Sequence, residues 1–213
     1  MTEVVAVGDK IDSFLDLDST KQDIEIIKLT QDLKRTSEYP NDFRILSFDL
    51  EVRNPHGMPD SDVDEIIMIG VSSNFGINQV ISTKTNSDSR DDFVNQLGSE
   101  KEMIEEFVKI IKENNVDILV GYNSDNFDFP YLKERAKILG VDLDIGMDGS
   151  DIKFIRRGYA NAASFKGLIH VDLYLVMRRY MSLERYTLER VYYELFGEEK
   201  IDVPGDRIWE FWD

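Results

Sequence analysis

At 213 residues the chain is long enough for one large domain or two small ones with a substantial core, and its 42% hydrophobic content predicts that most of it folds. It has no cysteine, which excludes disulfides and thiolate metal sites, and two histidines, which argues against a typical zinc enzyme and leaves oxygen-ligated magnesium or manganese; it shows no apolar run of membrane-spanning length and no leader with a basic start and apolar middle. A net charge of −17 argues against phosphate binding over the chain as a whole.

Residues 1–43 form a mixed opening, read as a tail or the remnant of a preceding domain: Ile24-Glu25-Ile26-Ile27 suits a strand or a short helix, and Pro40-Asn41-Asp42 is a break. The first clear strand is Arg44-Ile45-Leu46-Ser47-Phe48-Asp49-Leu50-Glu51-Val52, apolar almost throughout and read as buried. The turn-rich loop 54–60 follows, with His56 exposed. Two more strands, 65–72 and 78–83, flank Phe75-Gly76-Ile77 and read as a hairpin.

A helix over about 100–114 opens on the capping box Ser99-Glu100-Lys101-Glu102 and carries a core stripe of Met103, Phe107, Ile110 and Ile111. A short apolar strand at 117–122 leads into a helix over about 129–139, with Leu132, Ala136 and Leu139 on one face and Gly140 as its stop. A strand at 168–173 precedes a helix. The last clear helix carries Leu188, Val191, Tyr192 and Leu195 and ends at Gly197. A meander of three strands followed by helix, strand and helix predicts a mixed α/β sheet with helices packed on it. The window Lys153–Arg190 holds eight Lys or Arg against three acids, a basic patch on an acidic body that suits local contact with a phosphate chain as well as a merely less acidic stretch.

Two places carry chemistry. Asp49 and Glu51 are two apart on a strand, so both carboxylates project from one face. Desolvated and unpaired they would repel, and a divalent cation removes both costs. The second is Tyr122-Asn123-Ser124-Asp125-Asn126-Phe127-Asp128, between a strand end and a helix start, where open α/β sheets place ligands. Taken alone, Asp128 before Phe129-Pro130 reads as a helix N-cap, and Phe127 reads equally as core or as a ligand contact.

Taken together, Asp-x-Glu on a central strand and, some seventy residues later, Tyr-Asn-x-Asp-Asn-Phe-Asp resemble the proofreading 3′→5′ exonuclease domain of family-B DNA polymerases of archaeal type. Lys166-Gly167-Leu168-Ile169-His170-Val171-Asp172-Leu173-Tyr174 and Tyr186-Thr187-Leu188-Glu189-Arg190-Val191 are similar to the stretches that follow the second motif there, so the likeness covers about residues 44–212. It implies a ribonuclease-H-like (DnaQ-like) mixed sheet with flanking helices. It implies two magnesium or manganese ions in the complete domain, held by Asp49, Glu51 and Asp128, and hydrolysis of the 3′-terminal phosphodiester of single-stranded DNA. Asn123 takes the place of the family asparagine near the scissile nucleotide, and Phe127 that of a ring that lies against the terminal base. Asp172 matches no family ligand and is expected to be a structural carboxylate. Implied partners are a single-stranded DNA 3′ end, the remaining polymerase domains and, through the full-length protein, a sliding clamp. The implied location is cytoplasmic and nucleoid-associated, without a membrane.

One element departs from the family. Its third motif, Tyr-x-x-x-Asp, does not occur; Tyr180-Met181-Ser182-Leu183-Glu184 offers Glu, and too early. Residues 44–213 are therefore expected to be an exonuclease domain truncated before that motif, either a piece of a longer polymerase or a short inactivated relative. Such a chain is expected to be weak or inert, and a catalytically inactive DNA- or partner-binding module is the alternative.

Overall fold

The computed structural model describes residues 42–84, 92–157, 160–198 and 207–212 and, before them, the backbone of four short strands. These are β1 (Val4–Val5), β2 (Gly8–Ile11), β3 (Ile26–Leu29) and β4 (Lys34–Arg35), with β2 antiparallel to β3 and β1 antiparallel to β4. Of the two expectations for the 24–27 run, Ile26 and Ile27 adopt strand; residues 24–25 and Pro40-Asn41 lie outside the described residues.

A six-stranded sheet follows, built from β5 (Ile45–Val52), β6 (Ile66–Ser73), β7 (Asn78–Ser82), β8 (Val94–Gln96), β9 (Ile118–Gly121) and, after a separate hairpin of β10 (Lys153–Arg157) and β11 (Ala160–Ser164), β12 (Ile169–Asp172). Its order is β12-β9-β5-β6-β7-β8. The β5-β6-β7 meander is antiparallel, whereas β9 runs parallel to β5 and β12 parallel to β9. A parallel neighbour requires a crossover, and α1 (Glu100–Glu113) lies in the one that leads to β9. The other helices are α2 (Asp128–Leu139), α3 (Leu173–Tyr180), α4 (Leu188–Phe196) and α5 (Ile208–Trp212).

Helix α1 forms where the capping pattern predicts. Ser99 accepts a hydrogen bond from the Glu102 amide, while Glu102 reaches back to the Gly98 amide (2.7 Å). Met103, Phe107, Ile110 and Ile111 are all buried. They meet Leu46, Phe48, Leu50 and Val52 of β5 and Phe129 and Leu132 of α2 in one core, in which the Phe48 ring touches those of Phe107 and Phe129. Gly140 ends α2 in the left-handed conformation.

One expectation is corrected. The strand at 45–52 is buried on one face only. Leu46, Phe48, Leu50 and Val52 point into the core, while Ser47 and Asp49 are exposed and Glu51 is half-buried. The polar residues occupy every second position, so an apolar-looking run conceals a two-faced strand. On α4 Val191 is buried, while Leu188 and Leu195 are exposed. The β10–β11 hairpin is not legible in the sequence. Its strands are rich in Lys, Arg, Ala and Asn and lack apolar alternation.

Candidate active site

Asp49 and Glu51 stand on the open face of β5, an interior strand, with Gly70 of β6 directly opposite Asp49 and Met68 opposite Glu51. The β5–β6 register shifts between Glu51 and Val52, so the strand is irregular where the second carboxylate leaves it. A cleft of about 410 Å³ lies over this face, with Asp49 and Gly70 on its floor and Tyr122, Leu173 and Leu188 among its walls.

Asp128 is not the N-cap. It is the first residue of α2, the cap position falls to Phe127, and no side chain caps the helix. Its carboxylate turns to β5 instead, where Oδ1 accepts the Leu50 amide at 3.2 Å. Leu50 is the residue between Asp49 and Glu51, so one backbone hydrogen bond ties the third acid to the strand that carries the other two. Asp128 is buried. That burial, and then the charge of Asp49, push its pKa up to about 7 against the pull of the Leu50 amide. An acid held this way is one that a cation would relieve. The donor set is hard oxygen throughout, which suits magnesium or manganese. Among the described residues no three Asp, Glu, His or Cys groups already stand close enough to cage a metal. The fit is therefore one of donor chemistry, suited to an ion that keeps water and substrate oxygens in its shell.

The loop 122–127 is held by a buried polar network that sequence reasoning read only in part. Asp172, expected as a structural carboxylate, is one: Oδ1 accepts the Asn123 and Tyr174 amides and Oδ2 the Asp125 amide. Asp125, not singled out from the sequence, accepts the Ala163 amide (2.7 Å) and faces His170 Nδ1 at 3.3 Å, while His170 Nε2 meets Ser124 Oγ at 2.9 Å. The order Ser–His–Asp imitates a hydrolase triad, but Ser124 is wholly buried and the other two side chains nearly so. This is a clamp without access to substrate. The signal available in the sequence was a histidine in an otherwise apolar strand, two residues before an acid.

Asn123 adopts a left-handed backbone (φ 62°), its carbonyl caps the turn through the Asn126 and Phe127 amides, and its Oδ1 accepts Asn126 Nδ2. The structure thus leaves Asn123 half-buried with its side-chain oxygen engaged. Phe127 is half-buried, its ring 5.4 Å from that of Tyr131. His56 is exposed, as expected.

The sequence profile of the DNA polymerase family B exonuclease domain matches residues 13–191. The chain belongs to this family. The family-B exonuclease domain is matched by DNA polymerases of Methanocaldococcus jannaschii (38% identity over 194 residues, 89% of this chain and 12% of that protein) and of Desulfurococcus sp. strain Tok (42% over 176 residues, 83% of this chain and 22% of that protein). The chain therefore spans about a fifth or less of the length of these relatives. In structure it is similar to the family-B DNA polymerase of the hyperthermophilic archaeon Pyrobaculum calidifontis, with a TM-score of 0.75 and 28% identity over 98% of this chain and 25% of that one. The mixed sheet with flanking helices is thus the ribonuclease-H-like fold of a family-B exonuclease domain. No helix among the described residues is long and apolar enough to cross a membrane.

Proposed function

We propose that this exonuclease domain removes the 3′-terminal nucleotide of single-stranded DNA by metal-assisted hydrolysis, as the 3′→5′ proofreading part of a DNA polymerase. The observation that carries the proposal is the Leu50–Asp128 hydrogen bond, which ties Asp128 to the backbone between Asp49 and Glu51, on the strand whose Asp49 lines an open cleft. These three carboxylates would hold the divalent cations, magnesium or manganese, two in the complete domain. When bound, such ions supply Lewis-acid stabilisation of charge on the phosphate and its attacking and leaving oxygens. They also reverse the local potential, so that an acidic cleft accepts a polyanion.

The chain's own residues bind and orient. Phe127 offers a half-buried ring on which a terminal base stacks whatever its identity, as proofreading requires. Asn123, half-buried in the loop, hydrogen-bonds close to the scissile nucleotide once it exchanges its Asn126 partner. Asp128 holds its carboxylate through the Leu50 amide, so its remaining oxygen is directed by the backbone. The partners are a DNA 3′ end, the other polymerase domains and, through them, a sliding clamp; the setting is the cytoplasm at the nucleoid.

No Tyr-x-x-x-Asp motif occurs in these residues. A fourth carboxylate and a water-orienting tyrosine are then lacking, and trimming by this chain is expected to fall roughly 10²-fold or more below that of a domain that has them. The test is magnesium-dependent shortening of a 5′-labelled single-stranded oligonucleotide, with calorimetric titration of manganese. Slow trimming that Asp49→Ala abolishes supports the proposal. A second reading is an inactive DNA- or partner-binding module. No metal bound at millimolar concentration, together with no trimming, would decide for that module.

A further inference from the structure

Phe127, the N-cap residue of helix α2, and Tyr131 and Arg135 within the helix are spaced four apart in sequence, so that they follow one another along one side of it. Each does something different. The Phe127 ring lies against Tyr131, centroids 5.4 Å apart and planes tilted by 33°. Tyr131 is buried, and its hydroxyl donates to the Asp64 carbonyl at 2.9 Å. Burial, then the nearby Asp64 charge, raise the pKa of that hydroxyl, so it stays a donor. Arg135 is buried too. It donates to the Ser61 carbonyl (3.0 Å) and forks onto Glu100 at 2.8 and 2.5 Å, while Glu100 also accepts the Ile66 amide at 2.8 Å.

Ser61, Asp64 and Ile66 belong to the connection that leaves β5 just past Glu51 and enters β6. That connection is therefore pinned to α2 at two carbonyls and to the start of α1 at one amide. The same helix face ends in the half-buried Phe127 beside Asp128.

We propose that Tyr131 is a positioning residue for the Phe127 ring, which it backs on one side, and that it thereby sets where a terminal nucleobase stacks relative to Asp128. This rests on the exonuclease reading above. A ring supported by a second ring loses little rotamer freedom when a base stacks on its other face. The Asp64 hydrogen bond fixes the supporting ring in turn, because it admits one orientation of the phenol.

The experiment uses single-stranded oligonucleotides with 2-aminopurine at the 3′ terminus or, as control, at an internal position, bound to the whole chain in calcium so that turnover is suppressed. The wild-type protein is expected to change the terminal probe's fluorescence, and Phe127→Leu to abolish that change. Tyr131→Leu is expected to cut the terminal signal at least fivefold and leave the internal probe within twofold. Tyr131→Phe, which keeps the ring and loses only the Asp64 bond, is expected to retain at least half of the terminal signal. A merely structural role would move both probes together. The inference is overturned if Tyr131→Leu keeps the terminal signal that Phe127→Leu removes. It is equally overturned if Tyr131→Phe, which retains the fold by circular dichroism, behaves like Phe127→Leu; that arm stands even where Tyr131→Leu does not fold. A wild-type protein that gives no terminal signal overturns the nucleic-acid reading itself, and this inference with it.

Discussion

Asp128 shows how a buried acid can act at the expense of the fold. Its folded pKa of about 7 lies above the ordinary aspartate value near 3.9, so the folded state holds a proton that the unfolded chain releases. Where the unfolded state binds fewer protons, stability falls as pH rises. The loss begins near pH 4, ends near pH 7, and is constant above that. Asp128→Asn keeps an oxygen for the Leu50 amide and removes the charge. It is expected to raise stability at pH 8 by on the order of 2–4 kcal/mol and to flatten the pH dependence between 4 and 7. Urea denaturation at pH 5 and pH 8 measures both effects. An unchanged difference between the two pH values would show that Asp128 is not the group that titrates.

At the scale of the element, two strand glycines behave in opposite ways. Gly121 ends β9 beneath the clamped loop, and a Cβ there would lie 2.5 Å from Ser124 Oγ and 3.4 Å from the Phe48 ring. Ser124 has nowhere to go, since it is buried and bonded to His170. Gly121→Ala is expected to cost about 1–3 kcal/mol through overpacking. Gly70, opposite Asp49 on β6, would give a Cβ whose nearest neighbour is the Asp49 carbonyl at 4.0 Å. Gly70→Ala is expected to gain about 0.5–1 kcal/mol by lowering the entropy lost on folding. Thermal melts of the two variants should move to opposite sides of the wild type, and melts that moved the same way would refute the steric argument.

Over the whole molecule, the Arg135–Glu100 pair joins parts far apart in sequence: α2, the first turn of α1 and the connection from β5 to β6. Both side chains are buried, at 8% and 7% exposure, so removing the cation strands a carboxylate in the interior. Arg135→Leu is expected to destabilise by about 3–5 kcal/mol, and the double change with Glu100→Leu to recover part of that loss. Denaturant midpoints of the three proteins test the cycle; a double variant no better than Arg135→Leu would mean that packing, not charge, carries the cost. The uneven charge has a similar reach. The basic residues between Lys153 and Arg190 fall on β10, α3, α4 and the connections that carry Lys166 and Arg185, and several already engage neighbours: Lys166 pairs with Asp148 and Arg190 with Glu194, while Arg178 lies over the Tyr174 ring.

The sequence by itself determined the β5-β6-β7 meander, α1 with its cap and α2 with its glycine stop, because alternation, helical spacing and capping are local and each leaves its mark within a few residues; it singled out Asp49 and Glu51 by their shared face and Asp128 only through the family resemblance. It also identified Asp172 as structural. Only the tertiary structure decided that β5 is two-faced, that Asp128 bonds the Leu50 amide rather than capping its own helix, and that Asp125, His170 and Ser124 clamp the loop. Those facts are pairings between residues about forty to eighty positions apart. A buried polar group must find a partner, but nothing local to its own segment says which one.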